Sequence, residues 1–227
     1  MRWQVPRMWN GEDVWIIGGG PSTMRQFDVP EQVIQSVIEK GQSLSVYSEY
    51  FRPLHDKHVI GVNVAYMIGT WIDMVFFGDS NFFLKQEHGL ARFPGLKVSC
   101  HPQTDRIVWI KYLAHDKTHS KGISSNPRLV SWNQNSGAAA INVAAHAGAK
   151  RIILLGFDMS LDKQGATHWH SIYRQGKKVI PPFQKHLKGF PMIAIDARRM
   201  GIEILNASPE SAIRCFKKVT VKEILCG

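Results

Sequence analysis

Five consecutive residues, Gly18-Gly19-Gly20-Pro21-Ser22, carry the most chemistry in their spacing, and they follow directly on the apolar run Val14-Trp15-Ile16-Ile17. Glycines at a strand end let backbone N–H groups come close to a phosphate, and a helix start just beyond adds partial positive charge. The run is not GxGxxG, because position 23 is Thr23, and it is not a Walker A loop. Gly-Pro-Ser is also an ordinary turn. Its place after the first strand is what points to a phosphate-bearing nucleotide. A second stretch, Gly165-Ala166-Thr167-His168-Trp169-His170, flanks a tryptophan with two histidines. Imidazole titrates near neutral pH, so His168 or His170 suits a general base acting on an acceptor hydroxyl. The HxH spacing also suits a metal, but no third ligand is obvious nearby, and a plain loop is the remaining reading.

Polar or small residues end several apolar runs: Gly18, Asn63, Asp79, Asp158 and Asn206. In a mostly parallel sheet those ends share one edge, where ligands bind. Taken singly, each is better read as a helix cap; taken together they describe a site. Asp79 and Asp158 suit Mg²⁺ or ribose and sugar hydroxyls, with capping as the competing role. Asn135-Ser136-Gly137 precedes an alanine-rich stretch, so Ser136 either caps that helix or donates to a ligand phosphate.

These residues need elements to position them, and short apolar runs alternating with amphipathic stretches predict an α/β fold of Rossmann-like type, with helices on both faces of a mostly parallel sheet. Strands are expected at Val14–Ile17, Val59–Val62, Met74–Phe77, Leu96–Cys100, Ile107–Ile110, Ile152–Leu155 and Ile202–Leu205. Val33, Ile34, Val37 and Ile38 give one apolar face to a helix over 30–40. A small-residue helix over 138–147 should approach the sheet closely, with Gly148 as its left-handed terminator. A further helix is expected from Pro182 to about Met200. The whole chain, 1–227, reads as one domain, with loop or lid regions around 112–135 and 160–180.

The 227 residues suffice for a substantial core, and 44% hydrophobic with 20% charged is ordinary globular composition. No apolar run reaches the roughly 18 residues of a membrane span, and the start lacks a signal-peptide core. Cys100, Cys215 and Cys226 form no CxxC pair, which argues against a disulfide framework or zinc site and for a reducing, cytoplasmic setting. The formal charge is +10; residues 1–147 hold 14 Lys/Arg against 12 Asp/Glu, and residues 148–227 hold 14 against 6. A basic C-terminal third, with the pairs Lys177-Lys178, Arg198-Arg199 and Lys217-Lys218, either favours anionic partners, nucleic acid as acceptor among them, or is a solvated surface.

The segments Ile16–Ser22, Gly61-Val62-Asn63, Asp73–Asp79, Ser136-Gly137 and Gly148–Asp158, with the late Asn206-Ala207-Ser208, together resemble one superfamily. It includes archaeal 6-hydroxymethylpterin pyrophosphokinase-like proteins, bacterial sialyltransferases of the Campylobacter type, and phage and prophage proteins labelled norphogenetic. The resemblance to the sialyltransferases implies that Gly18–Ser22 and Ser136-Gly137 hold the nucleotide of a nucleotide-sugar and that a histidine is the base. The tyrosines that support the departing phosphate in that family are not evident just after Asp158. The resemblance to the pyrophosphokinases implies Mg²⁺-ATP on Asp79 and Asp158. The leading expectation is a nucleotide-dependent transferase using a nucleotide-sugar donor. A Mg²⁺-ATP pyrophosphokinase and a non-catalytic phage nucleotide- or nucleic-acid-binding protein are the alternatives.

Overall fold

The computed structural model describes residues 3–172 and 182–226. Among the described residues ten strands form in chain order: β1 (Asp13–Ile17), β2 (His58–Val62), β3 (Met74–Phe77), β4 (Leu96–Ser99), β5 (Lys111–Tyr112), β6 (Ala114–His115), β7 (Leu129–Val130), β8 (Arg151–Leu155), β9 (Glu203–Asn206) and β10 (Lys217–Lys218). Eight of them make one sheet in the order β10-β9-β8-β1-β2-β3-β4-β5, and every pairing is parallel. This is the Rossmann-like α/β architecture that the alternation of runs predicts. β6 and β7 pair separately, also in parallel.

Alternation along each strand divides the core in two, because successive side chains point to opposite faces of a sheet. Val14, Ile16, Ile60, Met74, Phe76, Ile152 and Leu154 face one side, against α4 (Ser136–His146) and α6 (Phe190–Arg199). Trp15, Ile17, Val59, Val75, Phe77, Ile153 and Leu155 face the other. There they meet α1 (Ser22–Gln26), α2 (Glu31–Lys40), α3 (Ser80–Arg92) and the 3-10 segment Leu44–Leu54. In α4 every residue from Gly137 to His146 is buried, which the small side chains permit by bringing the helix axis close to the sheet. Gly148 follows with φ +95, the left-handed terminator expected of it.

Two local expectations are corrected. Ile107–Ile110 is not a strand: Ile110 N–H donates to Ile107 O at 3.0 Å in a turn, and Val108 is 92% exposed. The pairing edge lies one step later, at Lys111–Tyr112, because β5 needs only two residues to complete the sheet beside β4. The helix expected to run unbroken to Met200 is split into α5 (Phe183–Leu187) and α6 by Gly189, where Pro191 starts a new helix in its first turn.

The stretch 114–135 is held down by buried polar groups. Asn142 Oδ1, on α4, accepts from Ser124 N–H at 2.9 Å and Ser131 N–H at 3.0 Å. Asp196 Oδ2, on α6, accepts from Ile123 N–H at 2.9 Å and bonds His119 Nε2 at 3.0 Å. Part of the 160–180 region, with the Lys177-Lys178 pair, lies outside the described residues. Arg198-Arg199 end α6, and Lys217-Lys218 form the edge strand β10. Among the described residues no helix is long and apolar enough to cross a membrane.

Candidate functional site

β1 and β8 are neighbours at the point where the strand order turns outward in both directions, and there the sheet leaves a crevice at its carboxyl edge. The glycine turn enters it against the chain leaving β8. Gly18 N–H donates to Leu155 O at 2.7 Å and Gly20 N–H to Gly156 O at 2.9 Å. A Cβ on Gly20 would lie 2.5 Å from Asp158 Oδ2 and 2.6 Å from Gly156 O, so the approach excludes any side chain. Ser22 closes the unit: its N–H donates to Asp158 Oδ2 at 2.9 Å and its hydroxyl to Asp158 Oδ1. Ser22 Oγ also lies 3.0 Å from Ser208 Oγ, which accepts from Phe157 N–H at 3.1 Å.

This lock narrows the expected phosphate cradle. The N–H groups of Gly18, Gly20 and Ser22 are all spent inside the protein, and Pro21 has none. Gly19, half-exposed in the cleft, has the one N–H of the turn without an acceptor among the described residues.

The His168-Trp169-His170 segment packs directly on that glycine. Trp169 is buried; its Nε1–H donates to Gly18 O at 2.8 Å, its N–H to Gly19 O at 3.1 Å, and its carbonyl accepts from Tyr47 OH at 3.2 Å. His168 rests against Gly19, where a Cβ would come 2.7 Å from its Cδ2. His168 Nδ1 bonds Thr167 Oγ1 at 2.8 Å, and burial holds the imidazole down to about 4. His170 is 3% exposed and is kept neutral by burial first and by His168 second. The two rings lie 5.1 Å apart and both line the cleft. Among the described residues no three His, Cys, Asp or Glu side chains are grouped to hold a metal ion.

The other strand ends supply the rest of the wall of a cleft of about 460 Å³. Asn63, after β2, sits at φ +52, and its buried Oδ1 has no hydrogen-bond partner among the described residues. Asp79 caps α3 by accepting from Phe82 N–H at 3.0 Å. Asn135, rather than Ser136, caps α4, accepting from Gly137 N–H at 2.9 Å and Ala138 N–H at 3.2 Å. Gly18, Gly19, Gly20, Asn63, Asp79, Asn135, Ser136, Gly137, Asp158, His168 and His170 thus all border one cleft. Pro21, Ser22 and Asn206 stand behind it: Asn206 is fully buried, and its Oδ1 accepts from Ser208 N–H at 3.1 Å.

Sequence reasoning passed over Asn81, Lys85, Trp132 and His186, which also line the cleft. Asn81 and Lys85 are four apart in the first turns of α3, a spacing that puts them on one helix face. His186 lies in the last turn of α5, half-buried, with its pKa lowered by burial and then by the charge on Lys185. Trp132 carries no signal in its neighbourhood, because a lone tryptophan in a polar loop reads as an anchor.

No family model matches the chain, and no curated protein matches it. Among solved structures it is similar to the sialyltransferase CstII from Campylobacter jejuni in complex with a substrate analogue, cytidine-5'-monophosphate. That match has a TM-score of 0.52 at 16% identity over 93% of this chain and 86% of that one. It is also similar to the MAf glycosyltransferase from Magnetospirillum magneticum AMB-1, with a TM-score of 0.59 at 11% identity over 98% of this chain but 36% of that one. At these identities the likeness is one of fold, and the fold of this chain is the Rossmann-like α/β fold of those glycosyltransferases.

Proposed function

We propose that the chain transfers a sugar from a nucleotide-sugar to an acceptor hydroxyl. The observation that carries this reading is the convergence, in one cleft at the β1/β8 switch point, of an uncommitted Gly19 N–H, the N-terminal end of α4 and three histidines in different settings. The structural neighbours, one of them a sialyltransferase in complex with cytidine-5'-monophosphate, support the same reading.

In the transfer, the acceptor oxygen forms a bond to the anomeric carbon while the bond from that carbon to the phosphate oxygen breaks. The electron pair leaves with the phosphate, and the acceptor proton goes to a base. Gly19 N–H stabilises the departing phosphate directly, and α4, whose Gly137 and Ala138 N–H groups are taken by Asn135, adds the positive end of its dipole, since preorganised dipoles act where charge develops. His168, neutral and packed on Gly19, stands on the phosphate side. His170 is too enclosed to meet an acceptor from solvent. His186, half-buried at the cleft, is the base in this scheme.

Asp79 and Asp158 border the cleft as the strand-end carboxylates that a Mg²⁺-nucleotide would use. One oxygen of Asp79 is committed to its cap and both of Asp158 to Ser22. A thermal-shift screen with CMP, UDP and their sugars, with and without Mg²⁺, tests the proposal, because a ligand of the folded state raises the midpoint by mass action. A rise with a pyrimidine nucleotide or its sugar in the presence of EDTA is the expected result. A rise only with ATP and Mg²⁺ would overturn it in favour of diphosphate transfer.

A further inference from the structure

Trp132 occupies the end of the cleft away from the glycine turn. Its six-membered ring reaches over the end of β3, where Gly78 makes room for it: a Cβ there would lie 2.3 Å from Trp132 Cζ3 and 2.6 Å from Cη2. The His115 ring stacks on it at 5.4 Å and 10°. With one face covered by His115 and one edge set into Gly78, Trp132 is half-buried against the core and lines the cleft. β1 and β3 are two strands apart, so the contact at Gly78 is roughly 10 Å from the glycine turn. That is about the reach of a phosphate with one pyranose attached.

A Cβ on Gly189, between α5 and α6, would lie 2.6 Å from Asn133 Oδ1. The junction three residues after His186 therefore abuts the residue next to Trp132. Phe190, next to that junction, packs on Phe157 beyond β8 at 6.3 Å, so the α5–α6 junction spans the cleft between the two sides. With the departing phosphate at Gly19, the donor reading leaves the Trp132 end for the reacting sugar.

The second group at that end is Asp79, adjacent to Gly78. Its side chain is exposed; Oδ1 is held by the α3 cap, and Oδ2 remains as an acceptor for hydroxyls. A carboxylate accepts from sugar hydroxyls and repels a sugar that itself carries a carboxylate. Lys85 is the cationic group of the same helix that lines the cleft, six residues on and roughly 9 Å further along the axis from Asp79.

Resting on the donor reading above, we infer that Trp132 and Asp79 select a neutral pyranose as the transferred group, its C–H face on the indole and its hydroxyls on the carboxylate. Equilibrium binding to the full chain tests this with UDP, UDP-glucose, UDP-N-acetylglucosamine, CMP and CMP-N-acetylneuraminate as probes. The expected result is that a neutral sugar nucleotide binds tighter than its parent nucleotide. Trp132→Ala should remove that gain, about tenfold, and leave the parent nucleotide within about twofold. Trp132→Phe, which keeps an aromatic face, should retain most of it. Asp79→Asn, which keeps the capping oxygen, should improve binding of CMP-N-acetylneuraminate. If CMP-N-acetylneuraminate is the tightest probe of the wild-type chain, the selection of a neutral sugar is overturned while the donor reading stands. If the tryptophan variants weaken nucleotide and sugar nucleotide equally, the platform is overturned. Failure of every nucleotide to bind the folded wild-type chain overturns the donor reading and this inference together.

Discussion

The indole N–H of Trp169 donates to the carbonyl of Gly18 at 2.8 Å across 151 residues of sequence, tying the histidine segment to the glycine turn. The main-chain bond from Trp169 to Gly19 O makes the attachment two-pointed. Trp169→Phe keeps most of the packing but leaves Gly18 O without its donor in a buried place. The unfolding free energy should fall by about 1–3 kcal/mol, measured by urea denaturation, and nucleotide affinity should fall with it as Gly19 is released.

Gly19 and Gly20 separate function from folding. Alanine at Gly19 meets only the His168 ring, 2.7 Å away, and its backbone is not in the left-handed region. Gly19→Ala has only the His168 ring to displace, so it should cost less stability than Gly20→Ala and lose nucleotide binding tenfold or more. Alanine at Gly20 meets Gly156 O and the Asp158 carboxylate, which cannot both yield. Gly20→Ala should cost about 1–3 kcal/mol by overpacking. Equal effects of the two substitutions on folding would contradict this division.

Asp158 is the anchor of the turn. Asp158→Ala removes both acceptors of Ser22 and should destabilise by about 3 kcal/mol, since hydrogen bonds to charged groups contribute roughly 1.5–3 kcal/mol each. Asp158→Asn keeps one acceptor and should lose less than half of that. Chemical denaturation of the two variants side by side provides the comparison.

Burial holds His146, at the end of α4, and His168 down to about 4, against an ordinary 6.5. Between those values the unfolded chain binds protons that the native state refuses. The stability associated with the two rings is complete above about pH 6.5 and is lost as pH falls toward about 4, at about 1.4 kcal/mol per pH unit for each. Replacing His146 with glutamine should flatten the slope of unfolding free energy against pH between 6 and 4.5. An unchanged slope would mean that His146 does not contribute.

Gly78→Ala reaches Trp132 without touching it by mutation. The added Cβ drives the indole from its seat, so the melting point should drop and any gain from the sugar ring should vanish, as with Trp132→Ala. Nucleotide alone should bind as before, which a titration of the same sample with the parent nucleotide checks.

What the sequence determined by itself was local. Val14–Ile17, Met74–Phe77 and Ile152–Leu155 are strands because apolar and β-branched runs bounded by glycine or Asp leave no other way to bury them. The alanines after Ser136 admit a helix lying close to the sheet. Polar strand ends in a parallel sheet have to meet along one edge, so the sequence alone groups Gly18, Asn63, Asp79 and Asp158. Tertiary structure decided what each of them does there. Asp158 spends its oxygens on Ser22, Asn206 turns inward to Ser208, and Asn135 takes the α4 cap. Pairings of this kind join residues far apart in the chain and leave no periodicity to read. The same holds for Trp132 and His186, which reach the cleft only through the packing of the 114–135 segment and the break at Gly189. Val108 failed as a strand residue for a related reason: an apolar run at a sheet edge becomes a strand only where a neighbour is placed to pair with it, and β4 meets its partner at Lys111.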